Sequence, residues 1–505
     1  MGREIDRDTF GEDDYLLFGE RLRENLAMLS EVVMEPGFGV GQATIGAELE
    51  LALVDGAGRP LPSNEAVRQA ADDPRVTLEL NRFNLELNSS PVELAGRPFA
   101  ALEEELNSLL RQVRLAAAAQ GGRVAVIGIL PTVGRADLSQ AMITDAARYR
   151  ALSSGLRRLR ESPVRIQIAG ADQLDLVSDD IAVEGANTSF QVHLRVAPAD
   201  FSRVYNAVQL ATAAVLAVAG NSPTFLGRRL WEETRVALFK QSVEDRPEGL
   251  RRRQARTTFG SGWLRGGAVE LFTEGVRRYG PVLPVVSEAG RRDPPPAGSA
   301  PLLDELRLHM GTIWPWNRAV YDPVNGGHLR IEMRALPAGP TVTDMAANAA
   351  YLIGLSLWIA DQDERWTYAL PFERAEHNFY RAAKHGLRAV LTWPAWKPDQ
   401  TRTYLASDLI AESLPAARQG LLGAGVAARE ADRLLDIIAG RAASGQTGAA
   451  WQRAALAATG GPAREAPGVM LGGYLEHSAA GLPVHTWPRP VADTGGLGGS
   501  SDQVP

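Results

Sequence analysis

The stretch "TIGAELELAL" at residues 44–53 alternates apolar and other positions with a period of two, which predicts a strand. Ile45, Ala47, Leu49, Leu51 and Leu53 share one face and leave Gly46, Glu48, Glu50 and Ala52 on the other. Four more segments repeat the pattern. In "VTLEL" Val76, Leu78 and Leu80 oppose Thr77 and Glu79; in "FNLELN" Phe83, Leu85 and Leu87 oppose Asn84, Glu86 and Asn88. The parity changes between Leu80 and Phe83, so a bulge or tight connection at Asn81 and Arg82 is needed to keep both glutamates on one face. In "SFQVHLRV" Phe190, Val192, Leu194 and Val196 oppose Gln191, His193 and Arg195; in "LRIEMRAL" Leu329, Ile331 and Met333 oppose Arg330, Glu332 and Arg334.

Between these strands the period lengthens to that of a helix. Leu16, Leu17, Leu22, Leu26, Leu29 and Val33 predict an amphipathic helix over 13–34, and "PFAALEEELNSLLRQVRLAAAAQGG" one of good helix formers ended by glycine. "RVAVIGILPT" reads as a continuous apolar strand buried on both faces. The Ala-rich run at 204–219 predicts a buried helix, and "TDMAANAAYLIGLSLWIA" another, with Thr343 or Asp344 as its N-cap. From about 365 the pattern is helical, and the Gly-rich end reads as a disordered tail. The expected layout is an N-terminal helical segment (1–40), a catalytic domain (41–362), a helical C-terminal region (363–485) and the tail (486–505).

Of 505 residues, 45% are hydrophobic and 22% charged, as in ordinary globular proteins, so a sizeable core is available. The net charge of -7 argues against nucleic acid as a partner. With no cysteine in the chain, thiolate metal sites and cysteine nucleophiles are excluded. "MGREIDRDTFGEDDY" lacks the basic and apolar regions of a secretory signal, and the stretch 204–220 falls short of the roughly 20 residues that span a bilayer. A cytoplasmic protein without membrane partners is the expectation.

Five glutamates on one sheet face would repel each other unless cations sit among them. Mg²⁺ takes hard oxygen ligands and commonly lies beside substrate phosphates, while arginines such as Arg195 and Arg330 fork onto phosphate oxygens. That face therefore suggests a Mg-nucleotide site. It is not of the glycine-loop type, because neither GxxxxGK[ST] nor a strand-linked GxGxxG occurs, and HExxH and GxSxG are absent too.

"GAELELALVD", "LELNRFNLELNSSP", "GANTSFQVHLRV", "NSPTFLGRRLWEETRVALFKQ" and "LRIEMRALPAGPTVTDMAANAAYLIGL" together resemble the glutamate-cysteine ligase and carboxylate-amine ligase family of the glutamine synthetase-like superfamily. The ordered set spans about residues 40–360. The resemblance implies an α+β fold, a curved antiparallel sheet holding ATP and Mg²⁺ on its concave face with helices outside. It implies phosphorylation of a substrate carboxylate, typically that of glutamate, and displacement of the phosphate by an amine such as cysteine. By the same resemblance Glu48, Glu50, Glu79, Glu86, Gln191 and Glu332 are metal ligands, and Arg334 and Arg235 are catalytic. Lys240, with Arg195 and Arg330, serves the bound nucleotide or a substrate carboxylate. A homo-oligomer is compatible with this reading.

The chain departs from relatives that make γ-glutamylcysteine in lacking an acidic residue soon after "EMR". Trp314, Trp316 and Tyr321 lie near the presumed substrate end, as ordinary core or as walls of a pocket for another amine. The segments 287–301 and 246–256 are candidate lids. Two other readings are a phosphotransferase of the related guanidino-kinase fold and a non-catalytic nucleotide sensor. Guanidino kinases usually rely on a cysteine, which this chain lacks, and an idle site has no reason to keep such a charge cluster.

Overall fold

The computed structural model describes residues 5–179, 181–250, 252–287, 300–362, 364–396, 400–459 and 465–490. Its strands run in chain order as β1 (Thr44–Val54), β2 (Val76–Leu78), β3 (Asn84–Asn88), β4 (Val92–Glu93), β5 (Arg123–Ala125), β6 (Val164–Ala169), β7 (Gln173–Ser178), β8 (Phe190–Val196), β9 (Thr224–Phe225), β10 (Arg228–Arg229), β11 (Asn317–Asp322), β12 (His328–Met333), β13 (Val390–Pro394) and β14 (Thr401–Leu405). Eight of them form one antiparallel sheet in the order β11-β12-β8-β1-β3-β2, with β4 and β5 pairing with opposite ends of β1. β6/β7, β9/β10 and β13/β14 are separate two-stranded ribbons. The fold is thus a mixture of helix and antiparallel sheet.

Alternation decides what the sheet buries. Leu49, Leu51, Leu85, Leu87, Phe190, Val192, Leu194, Ile331 and Met333 enter one large core, each fully burying its side chain at about 1.5–3 kcal/mol. The helices Pro98–Ala119, Phe201–Ala219 and Val342–Ala360 pack on that side against β1, β11 and β8 respectively. The last two are apolar enough over their length to cross a membrane, but both are buried among other elements of the protein. The helix Val342–Ala360 is capped by Thr341, whose Oγ1 accepts from Asp344 N at 3.0 Å, rather than by Thr343 or Asp344. Asp344 sits at the third helical position, where its carboxylate accepts from Thr341 Oγ1 at 2.8 Å.

Several local expectations change. Only Arg123–Ala125 of "RVAVIGILPT" pairs as a strand, because the same edge of β1 is taken beyond Ala52 by β8 and the residues leading into it, with Glu50 N donating to the Ser189 carbonyl and Leu49 opposite Phe190; Val126, Ile127, Ile129 and Leu130 stay buried without a ladder. The C-terminal region is not wholly helical, since β13 and β14 form a hairpin within it. Trp487, inside the stretch expected as tail, is buried against Trp451 and Tyr474. Residues 491–505 lie outside the described residues, as do 288–299 of the first candidate lid. In the second, Arg256 is buried and pins its end, with Nε donating to Asp245 at 2.5 Å and Nη1 to the Thr312 carbonyl at 3.2 Å.

A second core covers the far end of the glutamate-bearing face. Ala52 and Val54 of β1 join Ala125, Ile127, Phe225, Leu238, Trp451 and Tyr474 there. The helices Gly448–Ala458 and Ala466–Ala480 are tied in through Asn221, which donates to Tyr474 Oη at 2.8 Å and to the Ala338 carbonyl at 2.7 Å, and accepts from Gln452 at 2.8 Å. Tyr474 in turn donates to the Val126 carbonyl at 3.0 Å. All four groups are buried, so Asn221→Ala leaves partners without hydrogen bonds. It is expected to cost about 2–4 kcal/mol, read as a lower urea midpoint at unchanged slope, and Tyr474→Phe to cost less.

Candidate active site

Register brings the polar positions of β12, β8, β1 and β3 into adjacent rows. Glu332 lies opposite His193, Arg330 opposite Arg195, Gln191 opposite Glu48, and Glu50 opposite Glu86. The connection after β2 turns within Asn81–Arg82, where Asn84 N donates to the Asn81 carbonyl at 2.8 Å. Asn64 braces it by donating to the carbonyls of Asn81 and Asn84 and to Thr144 Oγ1. The tight connection required by the parity change is present, and Glu79 meets Glu86 on the same side.

Two clusters result. In the first, Glu48, His193 and Glu332 offer ligand atoms within 4.8 Å of one another; in the second, Glu50, Glu79 and Glu86 do the same. His193 Nε2 lies 3.2 Å from Glu48 and 3.7 Å from Glu332. Gln191 lies between the clusters: Nε2 donates to Glu50 at 3.0 Å while Oε1 accepts from Arg334. Its amide is thus already engaged on both sides. The Glu50 carboxylate also accepts from Ser189 N at 2.7 Å.

The electrostatics of the clusters differ. Burial opposes ionisation of Glu332, yet Arg318 and Arg334 with His193 outweigh it and hold the carboxyl down at about 2. Arg318 forks onto both its oxygens at 2.5 and 2.9 Å, and Arg334 approaches at 3.2 Å. In the second cluster Arg235 and Arg334 act on Glu50, but Glu79 and Glu86 have no such relief. Burial and the Glu48 carboxylate push Glu86 up to about 7, and burial with Glu86, Glu50 and Glu184 raises Glu79 well above its usual range. Glu184, from the 3₁₀ turn before β8, is itself pushed to about 8 by burial and Glu50. Raised carboxylates crowded together, with oxygen ligands aimed inward, are the donor set of a hard divalent cation. His193 Nδ1 is buried without a hydrogen-bond partner, while Nε2 faces the Glu48 and Glu332 carboxylates.

Cations stand at both ends of this face. Arg195 donates to the Val40 carbonyl at 2.6 Å, and Arg330 pairs with Asp322 at 3.3 Å. At the opposite end Arg235 is buried, with Nε on Glu233 at 3.1 Å and Nη2 on the carbonyls of Arg334 and Ala335. Lys240 is placed farther along the same helix and donates to Tyr380 Oη at 2.6 Å. Trp316 lies against Arg235, whereas Tyr321 faces the other side and donates to the Pro301 carbonyl.

Three participants were not singled out from sequence. His193 was phased onto the right face, but its neighbour Gln191 was preferred as the ligand. Arg318 precedes the alternation of β12 on a strand, β11, whose own pattern "NRAVYD" was not phased. Glu184 sits in an irregular turn without any periodic signal.

A sequence model of glutamate-cysteine ligase family 2 matches residues 44–470. No curated protein matches the chain. The structure is similar to a glutamate–cysteine ligase from Francisella tularensis solved in complex with AMP, at 11% identity and a TM-score of 0.55, covering 90% of this chain and 91% of that one. It is also similar to a bifunctional glutathione synthetase from Pasteurella multocida, at 11% identity and a TM-score of 0.51, covering 92% of this chain and 55% of that longer one. At such identities the likeness is one of fold, and the family match carries the assignment. The sheet with its paired carboxylate clusters is therefore that of a carbon–nitrogen ligase: the chain belongs to glutamate-cysteine ligase family 2.

Proposed function

We propose that the chain is an ATP-dependent carboxylate-amine ligase of glutamine synthetase-like fold, working with Mg²⁺ through an acyl phosphate. The observation that carries this reading is the pair of carboxylate clusters on one sheet face with guanidiniums at either end. Glu48, His193 and Glu332 would hold one ion and Glu50, Glu79 and Glu86 another. Bound there, Mg²⁺ neutralises phosphate charge and polarises the transferred phosphoryl group.

The chain's own residues supply position and charge. Arg334, fixed by Glu332 and Gln191, and Arg235, fixed by Glu233, aim donors at the row beside Glu50, where a substrate carboxylate is oriented for attack on the terminal phosphate. That attack forms the carboxyl–phosphate bond and releases ADP; the amine then forms the C–N bond, inorganic phosphate leaves, and a proton passes to solvent or a nearby carboxylate. No nucleophilic side chain is required, in keeping with a chain that has no cysteine. The AMP held by the Francisella tularensis ligase supports an adenine nucleotide as co-substrate.

Phosphate release from ATP and Mg²⁺ with glutamate, against a panel of amines including cysteine, tests the reading. Amine-dependent release with an amide of matching mass is expected, with Glu48→Ala and Glu332→Gln each lowering turnover by about a hundredfold or more. Release without an amide, or a stable phosphorylated product, would favour a phosphotransferase instead.

The raised carboxylates set a pH dependence. Their folded values, about 7 for Glu86 and about 8 for Glu184, exceed the unfolded value of about 4.3, so their stabilisation of the metal-free protein is complete below that value. It is lost as pH rises through about 7 to 8. Mg²⁺ binds the ionised form, so its stabilisation grows over the same window. Thermal unfolding with EDTA or Mg²⁺ from about pH 5.5 to about pH 8.5 should show the two midpoints diverging upward, and Glu86→Gln should narrow the gap.

A further inference from the structure

A cavity of about 670 Å³ opens beside the turn that follows β2, and no carboxylate of either cluster lines it. Its volume falls in the range of roughly 300–1,000 Å³ that small-molecule pockets occupy. One wall is the helix Ala147–Arg160. Ala151, Gly155 and Leu156 of that helix are buried, whereas Arg150, Ser153, Ser154 and Arg157, spaced three and four apart, form the stripe that faces the cavity. Thr144 and Tyr149 also line it, and they donate to the carbonyls of Glu79 at 2.6 Å and Leu78 at 3.1 Å. The cavity is therefore braced against the strand end that carries Glu79.

Six charged side chains line this one space, three arginines and three carboxylates, and they do not pair off. Arg150 takes two of the carboxylates, with Nε on Asp8 at 2.7 Å and Nη1 on Asp145, which clamps the N-terminal segment at the rim. The other three stay apart. Arg82 of the turn, Arg157 of the helix and Glu65 from the helix Asn64–Ala71 make no side-chain hydrogen bond or ion pair among the described residues. Two free guanidiniums and one free carboxylate around a common space are the complement of a molecule with two carboxylates and one ammonium. A plain dianion would leave Glu65 opposed to it, and a simple zwitterion would leave one guanidinium without a partner.

We propose that this cavity is a second binding site, separate from the active site, for an amino dicarboxylate, with Arg82 and Arg157 each taking a carboxylate and Glu65 the ammonium. A free acidic amino acid and a small peptide of one share that chemistry. The site goes beyond the ligase reading and does not depend on it. Arg82 belongs to the turn that keeps Glu79 with Glu86, so an occupant grips the metal-binding face from outside.

Phenylglyoxal labelling of the full-length protein in EDTA, read at each arginine by peptide mass spectrometry, tests the proposal, since Arg82 and Arg157 are both exposed. The probes are L-glutamate, γ-glutamylglycine, glutarate, γ-aminobutyrate and inorganic phosphate. L-glutamate or γ-glutamylglycine should slow labelling of both arginines about fivefold or more, with exposed Arg111 unaffected. Protection by L-glutamate names the free amino acid as occupant, and protection by γ-glutamylglycine alone names a peptide. Glutarate and γ-aminobutyrate, each lacking one of the three charges, should need about tenfold higher concentration for the same effect. In Glu65→Gln the advantage of the amino dicarboxylate over glutarate should vanish while glutarate protects as before. Arg334→Gln, in the active site, should leave the protection unchanged. Equal protection by phosphate, protection by neither amino dicarboxylate, or its loss in Arg334→Gln overturns the proposal. The labelling reads binding without turnover, so a failure of the ligase reading leaves the site standing.

Discussion

Mutual repulsion among carboxylates on one sheet face is the constraint around which the molecule is arranged. Glu48, Glu50, Glu79, Glu86 and Glu332 are brought together by the sheet, and burial of Glu48, Glu86 and Glu332 with half-burial of Glu50 and Glu79 removes much of the water that would otherwise screen them. The protein relieves the repulsion in two ways. Around Glu332 it installs its own counter-ions, Arg318 and Arg334, and the carboxylate stays ionised. Around Glu79 and Glu86 it installs none of comparable reach, and the charge is left for a cation or for protons.

Holding like charges this close demands a rigid frame, and the opposite face of the sheet provides it. The leucines, valines and isoleucines behind the glutamates pack against long buried helices, so each strand is fixed by its apolar side while its polar side is strained. At the far end of the polar face the sequence of β1 changes to Ala52 and Val54, and a second core closes over them. Segments from near the C-terminus, through Trp451 and Tyr474, thus limit the site in space although they contribute no carboxylate to it. The remaining face has acidic residues in the middle and basic residues at each end, a layout that can hold a charged substrate lengthwise.

Period-two alternation is a local property, so the sequence by itself determined which side chains share the polar face of each strand, and the parity break at Asn81–Arg82 foretold the turn that keeps Glu79 with Glu86. The buried helices Phe201–Ala219 and Val342–Ala360 were equally legible from their apolar runs, whereas β13 and β14 escaped notice because a short hairpin inside a helical region carries little periodic signal. Only the tertiary structure decided the partners. The sharing of Glu48 and Glu332 with His193, the link made by Gln191 and the approach of Glu184 depend on register between strands far apart in the chain and on the lean of side chains along them. Such contacts join residues more than a hundred positions apart, as with Glu48 and His193, and no local pattern encodes that separation.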